Sequence, residues 1–363
     1  MRPLVILFCV AAVVAPAQTV LKHTFDSDTE GWMTMGTNAS VKSSEGALQF
    51  TYSLDGKGIN TAILPTGAGK LSDMRRIRFR IKSDHDTAVG LILAEKKPGG
   101  GDYAAMFWVP KNAWQVVDFL LSDFTGNDGP TDPVDADGKL DPDQVEGVGI
   151  IDFAGFFNQL PPESPIVVAK KSGTHTLMID DFEIMSSAST KAKRADAVLV
   201  DGFGRGFIEW ITLGGMGLSL AAGDNPIGGP ALEASIKGVE GKLALLLRRT
   251  NPAEIIGTKR LAFDIAADHE GTFAISVETK KAGVSGGQGP RYTFLIYPPD
   301  GRKVFHVNVS LADFEHDANS PEDPAGKLEA GNIKSIAIGD ITGLTGGAVV
   351  DNRIWIGAVE MRK

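Results

Sequence analysis

An all-β fold of two tandem antiparallel β-sandwiches is what this sequence predicts. Three observations predict it: short segments of alternating polarity, an abundance of turn residues, and one long pattern that occurs twice. The clearest alternation is Arg76-Ile77-Arg78-Phe79-Arg80-Ile81-Lys82, which puts Ile77, Phe79 and Ile81 on one face and the cations on the other. Such a strand covers a core on one side only. No stretch of helical period exceeds a turn or two, and the 43 Gly and 19 Pro in 363 residues supply the turns. The repeated pattern is WQVVDFLLSDF (114–124), an Asp-rich loop, then GKLDPDQVEGVGIID (138–152). It returns as VFHVNVSLADF (304–314) and GKLEAGNIKSIAIGD (326–340).

Taken from the start, residues 1–17 carry Arg2, an apolar run from Leu4 to Val14, and Ala15-Pro16-Ala17. That order is expected of a cleaved secretory signal peptide, and it places the protein in a secreted or periplasmic compartment. The only cysteine, Cys9, lies inside it, so disulfides, Cys-ligated metals and Cys nucleophiles are excluded from the rest. The formal charge of −9 becomes −10 without Arg2. An acidic chain is a poor partner for nucleic acid or anionic lipid. No later segment reaches the roughly 20 apolar residues of a membrane helix, so no membrane insertion is expected.

The first sandwich is assigned to residues 18–185, a solvated linker, SSASTKAKRAD, to 186–196, and the second sandwich to 197–363. Across the linker LKHTFDSDTEGW (21–32) lies over LVDGFGRGFIEW (199–210), pairing Phe25 with Phe203 and Trp32 with Trp210. IRFRIKSDHD (77–86) lies over LAFDIAADHE (261–270), and MIDDFEIM (178–185) over WIGAVEMR (355–362).

The first copy, in the order TFDSDTEGW, IRFRIKSD, LILAEKKPGGGDY, AWQVVDFLLSDF, GKLDPDQVEGVGI and MIDDFEI, resembles carbohydrate-binding modules of family 11 and their galactose-binding-like relatives. The resemblance implies a jelly-roll sandwich with a ligand groove on its concave sheet, often a structural calcium ion, and a polysaccharide or glycan as partner. A mitochondrial complex I assembly factor has a related fold. A protein partner, bound by an interaction or envelope-assembly scaffold without a sugar site, is therefore the second reading.

For calcium, TFDSD brings Asp26 and Asp28 to the start of the first copy and IDDF brings Asp180 and Asp181 to its end, where the first and last strands of a jelly roll lie side by side. Oxygen donors are what Ca²⁺ takes. The second copy has Gly204, Gly206, Gly357 and Ala358 instead, so an ion is expected in the first domain only. Read blandly, the same aspartates are turn caps and solvated strand ends. The loop from Asp128 to Asp143 imitates part of an EF-hand but has Pro133 and Gln144 at two ligand positions, so we read it as structural, with Leu140 and Val145 as its anchors.

A sugar groove needs exposed rings and hydroxyl-binding polar groups. In the first copy we assign Asp55, Asn60, Asp102, Tyr103, Trp108 and Asp128 to it, and in the second Glu278, Arg291, Tyr292 and Tyr297. The bland reading puts such rings in the core, and we adopt it for Trp32, Trp114 and Trp210. Phe107 and Trp108 are adjacent and face opposite sides of a strand, so one of them is expected to be exposed. Catalytic motifs are lacking: Gly283-Val284-Ser285-Gly286-Gly287 fits GxSxG but falls in a Gly-rich hairpin without the strand and helix of a nucleophile elbow. The six His are scattered singly. The expectation is a non-catalytic protein, with a cryptic glycoside hydrolase as a third reading.

Overall fold

A computed structural model describes residues 18–55, 58–127, 135, 137–187, 195–221, 223–280 and 288–363. Residues 1–17, most of the linker, Asp128 and the GxSxG segment lie outside these.

The first half contains β1 (Thr19–His23), β2 (Met33–Met35), β3 (Ala39–Ser44), β4 (Ala47–Ser53), β5 (Thr61–Pro65), β6 (Arg76–Ser83), β7 (Thr87–Glu95), β8 (Asp102–Val109), β9 (Gln115–Leu120), β10 (Thr125–Gly126), β11 (Val145–Asp152) and β12 (Thr174–Met185). Sheet I runs β3-β4-β12-β6-β9, with β1 also on β12, and sheet II runs β10-β8-β7-β11-β5-β2. The second half contains β13 (Ala197–Asp201), β14 (Ile211–Thr212), β15 (Met216–Ala221), β16 (Ala231–Ile236), β17 (Ala244–Arg249), β18 (Arg260–Ala267), β19 (Phe273–Thr279), β20 (Arg291–Ile296), β21 (Phe305–Ser310), β22 (Glu315–His316), β23 (Ile333–Asp340), β24 (Asn352–Ile356) and β25 (Val359–Arg362). Its sheet III runs β13-β25-β18-β24-β16-β15 with β21 on β18, and its sheet IV runs β14-β17-β23-β19-β20-β22. The protein is all-β, and strand for strand the two halves have the same antiparallel order.

Local chemistry explains the elements. In β6 the alternation works as the sequence requires: Ile77, Phe79 and Ile81 are fully buried against Val89, Leu91 and Phe107 of sheet II. Between β3 and β4, Glu45 and Gly46 have φ of 56° and 70°, the two left-handed residues of a type I′ hairpin. Phe25 and Phe203 both adopt left-handed backbones, φ 57° and 54°, and both rings are buried. A non-glycine residue there costs roughly 1–2 kcal/mol. Carboxylates hold the turn in each half: Glu30 Oε1 accepts from Phe25 N at 2.7 Å, and Asp201 Oδ1 accepts from Phe203 N at 2.8 Å. In β12 the register slips between Asp180 and Glu183; at the matching place Gly357 and Ala358 separate β24 from β25.

The halves also meet directly. Trp108 N donates to Ile208 O at 2.8 Å, Ile166 bridges to Leu243 and Val168 to Gly214, so the chain after β11 lies along the second half. Ala88 and Trp108 belong to the second half's core, while Phe207 enters the first half's core with its ring 5.2 Å from that of Phe119. Around this apolar contact Arg205 reaches Asp123 at 2.9 Å and Glu209 at 3.0 Å, and Arg248 reaches Glu209 at 2.8 Å.

Candidate functional site

In the first half the expected groove face is filled. Along β8, Tyr103, Ala105, Phe107 and Val109 point into the sandwich and Trp108 points out, yet Phe107 and Trp108 are both buried. The expectation that one of them is exposed fails because the second half covers the outer face of sheet II. Phe153 covers it too: a Cβ on Gly90 would stand 2.7 Å from the Phe153 ring. Tyr103 does not face solvent either. Its hydroxyl donates to Asp135, and Tyr292 does the same to Asp323 at 2.5 Å in the second half. Each tyrosine therefore pins an acidic loop, and burial together with that carboxylate raises its pKa well above the usual phenol value. The remaining assignments are scattered. Asp102 pairs with Lys97 at 3.0 Å, Asp55 Oδ1 accepts from Gly173 N at 2.6 Å, and Asn60 Nδ2 donates to Ser53 O at 3.1 Å. Asp128 lies outside the described residues.

In the second half the matching face is open along β19 and β20 but covered over β23, whose outward Ser335, Ala337 and Gly339 are buried, and three assigned residues lie on the open part. Tyr292, Phe294 and Ile296 take the inward positions of β20, leaving Arg291, Thr293 and Leu295 outward. Tyr297 continues that alternation and is 62% exposed, beside Leu295 at 42%. Across the sheet the outward positions are small: Ser276 pairs with Thr293 and Ala337, and Ala274 pairs with Leu295 and Gly339. This makes a shallow trough with a small-residue floor and an apolar lip. Its polar end holds Arg291 on Asp317 at 2.9 Å and Glu278 on Lys334 at 3.0 Å.

Sheet I of the first half has an open face as well. Trp32 and Trp210 are buried as expected, but Trp114 is 38% exposed, stacked under Arg80 at 4.8 Å and Lys82 at 5.3 Å. Its core assignment fails because Trp114 has the outward parity of Val116 and Asp118, opposite to buried Val117 and Phe119. Of the four carboxylates assigned to calcium, Asp180 pairs with Arg80 at 3.0 Å and Asp181 lies 3.6 Å from it. Asp26 accepts from Thr24 Oγ1 at 2.7 Å and Asp28 from Glu30 N at 2.7 Å. Partial burial, then the charges of Asp181 and Asp26, push the Asp180 carboxyl up. Carboxylate oxygens are the donors a hard cation takes, but no three of these four converge within 4.8 Å of one another, and Arg80 occupies the gap beside Asp180 and Asp181.

Two further groups of ionisable residues were not foreseen. At one end of the first sandwich His85 is buried, with Nδ1 2.7 Å from Asp84 Oδ1 and Nε2 3.0 Å from Asp152 Oδ2. Burial pushes His85 down, but the hydrogen bonds and charges of Asp152 and Asp84 outweigh it and raise the group. His175 Nδ1 approaches the same Asp84 Oδ1 at 3.0 Å. At the junction of the halves Asp201 and Glu209 are both buried, and burial followed by the Glu209 charge pushes Asp201 up to about 7. A raised carboxyl beside a second one is what a glycosidase uses. This pair instead is engaged by Arg205 and Arg248 at the junction of the halves.

No family profile matches the chain, and no curated protein does. Solved structures similar to it include the family 11 carbohydrate-binding module of Clostridium thermocellum in complex with a β-1,3-1,4-mixed-linked tetrasaccharide: 16% identity over 47% of this chain and 97% of that one, TM-score 0.37. The tandem family 22 modules of Paenibacillus barcinonensis Xyn10C cover 97% of this chain and 99% of theirs at 12% identity and TM-score 0.30. A family 29 module complexed with cellulohexaose covers 46% of this chain and 92% of its own at 20% identity and TM-score 0.29. Among the described residues no helix is long and apolar enough to cross a membrane.

Proposed function

We propose that the protein is an exported, non-catalytic glycan-binding protein built from two tandem sandwiches, and that the trough of sheet IV is where the sugar lies. The observation that carries this is Tyr297, the most exposed aromatic ring among the described residues, standing with Leu295 beside a floor of the small, half-buried Ala274 and Ser276. A ring offers its face to the C–H side of a pyranose, and a small-residue floor lets the sugar approach the sheet. Arg291, Glu278 and Lys334 at the polar end would bond hydroxyls. A glycan array probed with the full chain should give bound polysaccharides that Tyr297→Ala loses and Trp108→Phe keeps. Equal binding by Tyr297→Ala would remove the trough from consideration.

The filled face of sheet II favours the scaffold reading for the first half, which then acts as a dock for the second. A structural Ca²⁺ held by Asp26, Asp28, Asp180 and Asp181 is a separate proposal. Calcium should raise the thermal midpoint of the full chain, and Asp181→Ala should abolish that rise.

A further inference from the structure

We propose that Asp84, His85 and His175 form a binding site for one divalent transition-metal ion of the zinc type, distinct from both the trough and the carboxylates of Asp26 and Asp180. His85 Nδ1 and His175 Nδ1 stand 2.7 and 3.0 Å from Asp84 Oδ1, and the three donor atoms lie within 4.8 Å of one another. The far side of each ring is already committed. His85 Nε2 faces the buried carboxylate of Asp152 at 3.0 Å, and His175 Nε2 faces Ser172 O at 3.0 Å. Asp152 and the Ser172 carbonyl can only accept, so an ion at the two Nδ1 atoms would leave each Nε2–H turned toward an acceptor. That is the tautomer a metal-bound histidine takes, with a carboxylate or a backbone carbonyl fixing its remote nitrogen.

Asp152 is itself held in place, accepting from Tyr52 Oη and Thr87 Oγ1 at 2.5 Å each and from Ala154 N at 2.7 Å. Asp84 Oδ2 accepts from Thr176 N at 3.0 Å, which leaves Oδ1 for the ion. Ser83 Oγ also lies within hydrogen-bonding distance of His85 Nδ1, at 3.3 Å.

The two rings lie 4.1 Å apart with His85 buried, and both Nδ1 atoms converge on the one oxygen Asp84 Oδ1. A divalent ion at that point would draw on all three donors at once. Two imidazoles and one carboxylate are the donors that zinc, cobalt and nickel accept. Asp84, with 41% of its side chain exposed, leaves a position open to water or a ligand. The second half shows the arrangement undone: Asn352 stands where the first half has His175, His269 is exposed, and Asp268 is taken by Arg302 at 2.5 Å and Arg353 at 3.2 Å. One ion per chain follows.

The test uses the untagged full chain, dialysed against Zn²⁺ and then metal-free buffer, with metal counted by elemental analysis and Co²⁺ absorption as a spectroscopic readout. One zinc per chain and a Co²⁺ ligand-field band are expected, both lost in His175→Asn, the residue found at that position in the second half. Since Asp84→Asn keeps the hydrogen bond from Thr176 N, it is the second variant, read by the zinc-induced rise of the thermal midpoint, which should vanish. Wild-type protein that retains no zinc and melts alike with and without it overturns the proposal. So does a zinc count that His175→Asn leaves unchanged.

Discussion

Trp108 and Trp114 show how far a single residue's chemistry can be read from sequence. Both are aromatic and both lie near a strand end, yet Trp108 is 3% exposed and Trp114 is 38% exposed. Strand parity predicts the side of the sheet a ring takes, but the covering of that side depends on contacts far away in sequence. Trp108→Ala should destabilise the protein by about 3–5 kcal/mol, the usual cost of emptying a buried aromatic site. Trp114→Ala should stay within roughly 1 kcal/mol; chemical denaturation compares the two. Tyr103→Phe and Tyr292→Phe each leave an aspartate without its phenol, with an expected loss of about 1–3 kcal/mol. Faster proteolysis of the acidic loops should accompany that loss.

At the scale of elements the alternating strands were legible, because each inward residue of β6, β9 and β18 shares a core with a partner strand in its own half. The repeat was legible for the same reason, down to Phe25 and Phe203 sharing a left-handed backbone. The functional faces were less so. His85 lies in the turn between β6 and β7 and His175 on β12, and only the pairing of β6 with β12 brings them together. A signal did exist, since Asp84-His85 recurs as Asp268-His269 while His175 becomes Asn352.

The junction carries a pH prediction of its own. Asp201 has its folded pKa raised from 3.8 to about 7 by burial and Glu209. The unfolded chain releases that proton near 3.8, while the folded chain holds it to about 7. This group's stabilisation is therefore complete below about pH 4 and is lost as pH rises through about 7. Thermal midpoints should fall across that window more steeply in wild type than in Asp201→Asn, which keeps an acceptor for Phe203 N.

For the whole molecule the junction matters more than the linker. Shared core residues and the Arg205 and Arg248 ion pairs join the halves independently of residues 186–196. A protease site inserted after Ser187 and cut under native conditions should give two fragments that co-elute on size exclusion. Separate elution would show that the covalent connection alone keeps them together.

Gly90 offers a consequence in terms of engineering. At its counterpart the second half has Ala274, so a single methyl separates a floor that admits a covering ring from one that does not. Gly90→Ala would act as a wedge one carbon thick, driven under Phe153 from the inside of the joint. Loosening at residue 90 thus becomes a control over how firmly one sandwich grips the other, set from within the first half and without touching the open face of sheet IV.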